Sequence, residues 1–432
     1  MAQYRYRNSR AIVPAVAGLF FPLRPMMGFD ARELTPGIVE RITFAGAESR
    51  SFKRASIVMH KVGGQVASPK TIERVIHDVG AELAQRRDAS PQTDDALAQL
   101  PAEPPDLAVV ECDGGRARGR EPGHGPGVHL AGDSGWRETK NACLIRAQRQ
   151  QFEDDPQPEP PACFCDPVHA AKIAETEALS VAAPLPLDEP VGEERDGVAA
   201  PQEDWRPKRL VRTVVSSMAR AKEFGQQMQR EAKRRRFFEA RIKAFLGDGL
   251  EWNWSIRDRH FKDFIAILDF THVLSYLFVL AKALHPDAEN AWSQYIVWMR
   301  GCWQGEVAQV LDELKARRSK LGEAPGDASE NDPRKLLAKT ITYLTNNRSR
   351  MNYPEYRRQG LPVTTAWTES LVKEINYRVK GTEMFWNDPD GADAILQVRA
   401  ASLSDDDRLS RHLRTRVGCP FVRRPKVPNF TT

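Results

Sequence analysis

Three short apolar runs that each stop at an aspartate set the strongest limit on what this chain can fold into. Leu107-Ala108-Val109-Val110-Glu111-Cys112 ends at Asp113, Lys243-Ala244-Phe245-Leu246-Gly247 enters Asp248-Gly249, and Phe264-Ile265-Ala266-Ile267-Leu268 enters Asp269. Runs this short, rich in branched and aromatic side chains and bounded by Asp or Gly, read as buried strands. After Asp113 the pair Gly114-Gly115 reads as a turn into Arg116–Arg120, making a hairpin, and Trp136 to Ala147 reads as a third strand of an antiparallel meander. Most of the remaining chain has helical spacing. The fold class is therefore α/β, with a mixed sheet interrupted by an all-α insertion.

The N-terminal part is helical. A Thr35-Pro36 start opens one helix, and Ser51 to Val62 reads as a second. Gly63-Gly64-Gln65 reads as a turn, and Ser68-Pro69-Lys70 caps a third helix through Ile72, Val75, Ile76, Val79 and Leu83. Helix, glycine turn, helix suits a helix-turn-helix unit whose second helix points Lys70, Thr71, Arg74 and His77 at a DNA major groove. A plain helical hairpin fits the same pattern. Residues 1–88 are read as this domain and 89–105 as a linker.

A core begins at 106 and runs to 270, with a Pro-rich, acidic insertion over 151–205 that holds one short helix. A basic helical stretch over 206–243 peaks at Lys233-Arg234-Arg235-Arg236. Residues 271–352 form the all-α block, broken near Gly322 to Pro333. A helix at Thr365 to Lys380 carries Glu369, and another through Ile395, Leu396 and Val398 completes the core segment 353–404. A basic tail, 405–432, is read as extended.

At 432 residues the chain has room for two or three compact units of roughly 150 residues each. Charged residues at 28% beside 41% hydrophobic ones describe a globular chain, and no window supplies the ~20 apolar residues of a membrane helix. A formal net charge of +5 is too mild to announce a nucleic-acid binder by itself. The six cysteines lack repeated C-x-x-C spacing, so reduced thiols in a cytoplasmic protein are expected. Cys163 and Cys165 with His169 make a possible metal set or simply a loop, and His124 and His129 are read as solvent-facing.

Asp113, Asp248 and Glu369 are the candidate chemistry. Carboxylates gathered at strand ends repel one another and are tolerated when a divalent cation neutralises them. Hard oxygen ligands suit Mg²⁺ or Mn²⁺, and two such ions serve phosphodiester transfer. Turn-forming aspartates after strands are the plain alternative.

Several segments together resemble bacterial insertion-sequence transposases of the DDE type, Mutator-like, of the ISKra group. They are Val110-Glu111-Cys112-Asp113-Gly114-Gly115-Arg116, Gly135-Trp136-Arg137-Glu138-Thr139-Lys140, and Leu246-Gly247-Asp248-Gly249 with the Trp-rich stretch after it. Ile267-Leu268-Asp269-Phe270-Thr271-His272 resembles the family's D-x-x-H signature. Thr368-Glu369-Ser370 and Arg378 to Trp386 resemble its third-acid helix and sequel.

The resemblance implies an RNase H-like fold with an all-α insertion. It implies Asp113, Asp248 and Glu369 as catalytic metal ligands for two Mg²⁺ or Mn²⁺ ions, and Asp269 with His272 as a supporting motif. Asp269 is the rival for second acid. It further implies double-stranded DNA, both terminal repeats and target, as partner, a homodimer or higher oligomer on DNA, and a nucleoid-associated location.

The family's Cys-rich start is absent from residues 1–34, and Trp367 stands where small residues are usual, which puts the activity of this copy in question. Arg116, Lys140, Arg234, Arg235, Arg378 and Lys380, with Lys70 and Arg74, are the expected phosphate contacts. Trp252 and Trp254 suit core packing better than base stacking.

Overall fold

A computed structural model describes residues 32, 34–89, 103–119, 135–176, 205–380, 386 and 389–416. The elements in chain order begin with helices α1 (Pro36–Glu48), α2 (Phe52–Gly63) and α3 (Pro69–Asp88). Strands β1 (Leu107–Arg118) and β2 (Trp136–Gln148) follow, then helix α4 (Pro167–Thr176), strand β3 (Lys208–Ser217) and helix α5 (Ala221–Arg234). Next come strand β4 (Ile242–Gly247), helix α6 (Glu251–His260) and strand β5 (Ile265–Leu268). The remaining helices are α7 (Phe270–Leu284), α8 (Ala288–Trp303), α9 (Val307–Leu321), α10 (Pro333–Asn347), α11 (Tyr353–Arg358), α12 (Ala366–Val379), α13 (Pro389–Ser402) and α14 (Arg408–Thr415). They fall into two compact units, one from the ranges 1–88, 116–137 and 375–432, the other from 89–115 and 138–374.

The second unit is built on a five-stranded mixed sheet ordered β3-β2-β1-β4-β5. β1 runs parallel to β4, from Leu107 opposite Ile242 to Glu111 opposite Leu246, and β4 runs parallel to β5. β2 and β3 are antiparallel, with an irregularity at Arg146/Ala147. The parallel strands carry unbroken apolar runs because both faces are covered. Val109, Val110, Phe245, Leu246, Ile267 and Leu268 are all fully buried. The expected all-α block is present as α7 to α10, with its break between α9 and α10. Phe270 anchors it, making edge-to-face contacts with Trp303 and Tyr353 at centroid distances of 4.9 Å.

Two expectations fail here. Gly114-Gly115 is not a turn: β1 continues through it in extended conformation to Arg118. Glycine favours bends over strands, and here the extended strand overrides that preference. The chain instead leaves the strand near Gly119, whose N–H donates to the Gly135 carbonyl at 2.7 Å, with Gly135 at φ +94°. Second, the stretch 206–243 is not one basic helix. Lys208–Ser217 is a strand, because Val211, Thr213, Val214 and Val215 prefer the pleated backbone and pair with β2. Only Ala221–Arg234 is helical. The short helix expected in the Pro-rich insertion is α4, while His124 and His129 lie outside the described residues.

In the first unit, the helix-glycine-helix pattern forms as read. α2 ends at Gly64 in the left-handed region, φ +61°, which relieves the strain a side chain would meet there. Ile72, Val75, Ile76 and Val79 line the buried face of α3.

The segment 353–404 does not complete a single unit. Residues from Ile375 on group with α1 to α3, and α13 packs on α3 so closely that Gly80 faces the backbone of Ala394. The tail is not wholly extended either: Arg408–Thr415 is a helix with Leu409, His412 and Leu413 buried, and residues beyond 416 lie outside the described residues. No helix among the described residues is long and apolar enough to cross a membrane.

Candidate functional site

The register of the parallel pair brings the first two acids to the same edge of the sheet. Two residues beyond the opposed pair Glu111 and Leu246, β1 reaches Asp113 and β4 reaches Asp248. Asp113 Oδ1 accepts its neighbour Gly114 N–H at 2.5 Å. Asp248 Oδ1 accepts Leu250 N–H at 2.8 Å and a second bond from Asn253 Nδ2. Asn253 Oδ1 in turn accepts the Cys112 thiol at 3.2 Å, so one buried amide ties β1, next to Asp113, to Asp248. Burial, followed by the charges of Asp248 and Asp113, pushes the Cys112 thiol well above its ordinary range.

Glu369 sits in the first turn of α12, where a helix N-terminus favours negative charge. Its closest tie runs to Asp269. Thr271 Oγ1 lies 2.7 Å from Asp269 Oδ2 and 3.2 Å from Glu369 Oε1, and its single proton serves one carboxylate at a time.

Asp269 is fully buried and caps α7, accepting Thr271 N–H at 3.0 Å, Thr365 Oγ1 at 2.6 Å and His272 Nδ1 at 2.9 Å. Burial alone would raise its pKa; the His272 bond and charge and the threonine hydroxyls outweigh it and hold the carboxyl below its ordinary range. Glu369 moves the other way, pushed up by burial and by the Asp269 charge.

Glu111 is a further buried acid. Its Oε2 accepts Thr368 N–H at 3.0 Å, at the start of α12, and its Oε1 has no partner. Burial pushes its carboxyl up to about 8. A glutamate inside an otherwise apolar strand run is the signal that marks it.

Thus Asp113, within β1, and Asp248, directly after β4, each stand two residues beyond the last opposed pair of these adjacent strands, while Glu369 shares a hydrogen-bonding partner with Asp269, the rival second acid. Among the described residues, no group of three or more His, Cys, Asp or Glu side chains is assembled to hold a metal ion. That statement includes Cys163, Cys165 and His169. These two cysteines, with Cys112, Cys143 and Cys302, are free thiols, and the His169 ring stacks on Phe164. Sequence reasoning missed Asn253, which serves Asp248 five residues before it, and Thr271 and Thr365, whose hydroxyls reach carboxylates more than ninety residues away, a relation nothing local marks.

The expected phosphate contacts divide by exposure. Lys70, Arg74, Arg116 and Lys380 are exposed, Lys70 pairing with Glu73 at 2.8 Å. Four others are corrected by burial and existing partners. Arg378 is 1% exposed, donates to the Gly46 carbonyl at 2.8 Å and lies over the Phe52 and Trp386 rings. Arg234 is buried and pairs with Glu231 at 3.1 Å, and Arg235 bonds Thr213 Oγ1 and the same Glu231. Lys140 is buried against Glu138, 2.6 Å away, and over the Trp252 ring. Trp254 is buried beneath Arg350.

Comparison with protein-family models and with curated proteins finds no match for this chain.

Proposed function

We propose that the chain is a metal-dependent DNA transposase of the DDE type, cutting a phosphodiester at its element's terminal repeats and joining the 3′-hydroxyl to target DNA. The observation that carries this reading is the placement of Asp113 and Asp248 at the same edge of adjacent parallel strands. Further support comes from the sheet order, with β2 and β3 antiparallel and β4 and β5 parallel to β1, followed by a helix that opens on Glu369. That order is compatible with the RNase H-like fold which the sequence resemblance implies.

Asp113 and Asp248 supply hard carboxylate oxygens suited to Mg²⁺ or Mn²⁺, and Glu369 is the third ligand. Held by these carboxylates, two such ions would supply activation of the attacking hydroxyl and stabilisation of the leaving oxygen. Glu369 must exchange its tie to Thr271 to join the two aspartates. Asp269, itself held by His272, accepts the hydroxyl of Thr365 just before α12, which keeps that helix start in place. DNA is gripped by exposed cations such as Lys70, Arg74, Arg116 and Lys380, and a homodimer or higher oligomer pairs two element ends.

A second reading has one observation in its favour. No three-carboxylate group stands assembled among the described residues, as a DNA-binding protein that no longer cuts would have it.

The test is incubation of the purified protein with the DNA bordering its coding region, where inverted repeats would mark the substrate. Mn²⁺-dependent 3′-hydroxyl nicks and strand-transfer products, lost in Asp113→Asn, Asp248→Asn and Glu369→Gln, are expected. Binding without nicks selects the second reading. Cutting that survives Asp248→Asn and is lost in Asp269→Asn reassigns the second acid.

A further inference from the structure

The helical stretch between β5 and α12 reaches the second acid through the Tyr343 side chain. Tyr343, on α10, donates its Oη to the backbone carbonyl of Asp248 at 2.9 Å. Its ring edge also meets Gly249: a methyl group there would lie 2.6 Å from Tyr343 Cε2 and 3.1 Å from Oη. Gly249 has φ +100°, a conformation side chains rarely adopt, so glycine is required on two counts. Tyr276 of α7 stacks on the Tyr343 ring at 3.9 Å between centroids and 7° between planes, which fixes the ring before the hydroxyl is used.

The peptides on both sides of Asp248 are therefore held. On the amino side, the Gly247 carbonyl accepts Asp269 N–H at 2.9 Å, a bond from the β5 end of the sheet. On the carboxyl side the holder is the Tyr343 phenol. Two pinned peptide planes leave the Asp248 backbone no freedom to swing its carboxylate, and the second pin comes from outside the sheet.

We propose that Tyr343 is a positioning residue for Asp248, through which the all-α insertion sets the direction of the second acid. This rests on the reading of Asp248 as a metal ligand. A purely space-filling Tyr343 would affect stability and leave metal binding alone. A positioning Tyr343 changes metal binding when only its oxygen is removed.

The experiment titrates Mn²⁺ into the full-length protein by calorimetry, for wild type, Tyr343→Phe, Gly249→Ala and Asp248→Asn, with thermal unfolding of each in parallel. Tyr343→Phe keeps the ring and the Tyr276 stack. It is expected to weaken Mn²⁺ by about tenfold, as loss of an outer-shell partner does, with its unfolding midpoint within roughly 4 °C of wild type. Gly249→Ala, which drives a methyl into the same ring, is expected to weaken Mn²⁺ too, and it carries the test if Tyr343→Phe folds poorly. Combining the two is expected to cost less than the sum of the single changes, since both disturb one contact. Wild-type Mn²⁺ affinity in Tyr343→Phe and Gly249→Ala, with binding lost in Asp248→Asn, overturns the positioning role while leaving the metal reading standing. Wild-type affinity in Asp248→Asn overturns the metal reading itself.

Discussion

Gly80 lets two opposing magnitudes be weighed against each other. It lies inside α3, where replacing glycine by alanine ordinarily stabilises a helix by about 1 kcal/mol. Here the added methyl would fall 2.6 Å from the carbonyl carbon of Ala394 and 2.7 Å from its Cα, with the carbonyl oxygen nearer still. Carbon atoms settle at about 3.5–4.0 Å, so α3 and α13 would have to part by about 1 Å, a gap that forfeits up to about half of each contact between them.

Because the obstacle is backbone, no rotamer change relieves it, and the cost belongs at the upper end of overpacking, about 3 kcal/mol. Gly80→Ala is therefore expected to destabilise the helical unit by about 2 kcal/mol net of the propensity gain. Hydrogen exchange on peptides from 69–88 and 389–402 reads that unit separately from the sheet unit. A variant whose protection equals or exceeds wild type would refute the close packing of α3 on α13.

Three more expectations follow from particular contacts. Glu82 is held at about 2 rather than 4.5: burial would raise it, but bonds from His412 and Arg416 lower it further. Its contribution is full above pH 4.5 and is lost as pH falls toward 2. Since the side chain is about a third exposed, Glu82→Gln should remove about 1 kcal/mol of acid-sensitive stability, seen as a flatter pH profile of urea unfolding.

Arg357 is fully buried, with its Nε 2.8 Å from Asp155 Oδ1 and its guanidinium over the Trp303 ring. Arg357→Ala strands that partner and should cost about 3–5 kcal/mol by chemical unfolding; a loss under about 1 kcal/mol would contradict the pairing. For DNA, Arg74→Ala should lower the slope of log affinity against log salt by about 0.9 without changing the fold, measured by fluorescence anisotropy. Arg234→Ala should instead show itself in unfolding midpoint, and an effect on salt slope alone would mean its burial is misjudged.

The strands that carry the acids were legible because an apolar run stopped by Asp is a local pattern: Asp248 and Asp269 directly follow β4 and β5, while Asp113 closes the apolar run of β1, a strand that continues past it to Arg118. Lys208–Ser217 was not, because its lysine and arginines joined it to the basic helix beyond, and only pairing with β2 reveals the β-branched ladder. Arg378 carried an overlooked signal. It falls seven residues after Leu371 and three after Ile375, on the apolar stripe of α12, where a cation is buried rather than offered to DNA. Glu369 was legible by resemblance, yet its tie through Thr271 to Asp269 depends on two segments about a hundred residues apart meeting, as does the Tyr343 contact. Such meetings are long-range in sequence and leave no periodicity behind.

A unit assembled from both ends of a polypeptide has a birth order. Ribosomes adding about 5–20 residues per second would finish α3 roughly 15–60 s before α13, about 300 residues later, emerges to cover it. Through that interval α1 already covers Ile76, but the face of α3 around Gly80 lacks its α13 partner and stays open to chaperones and proteases.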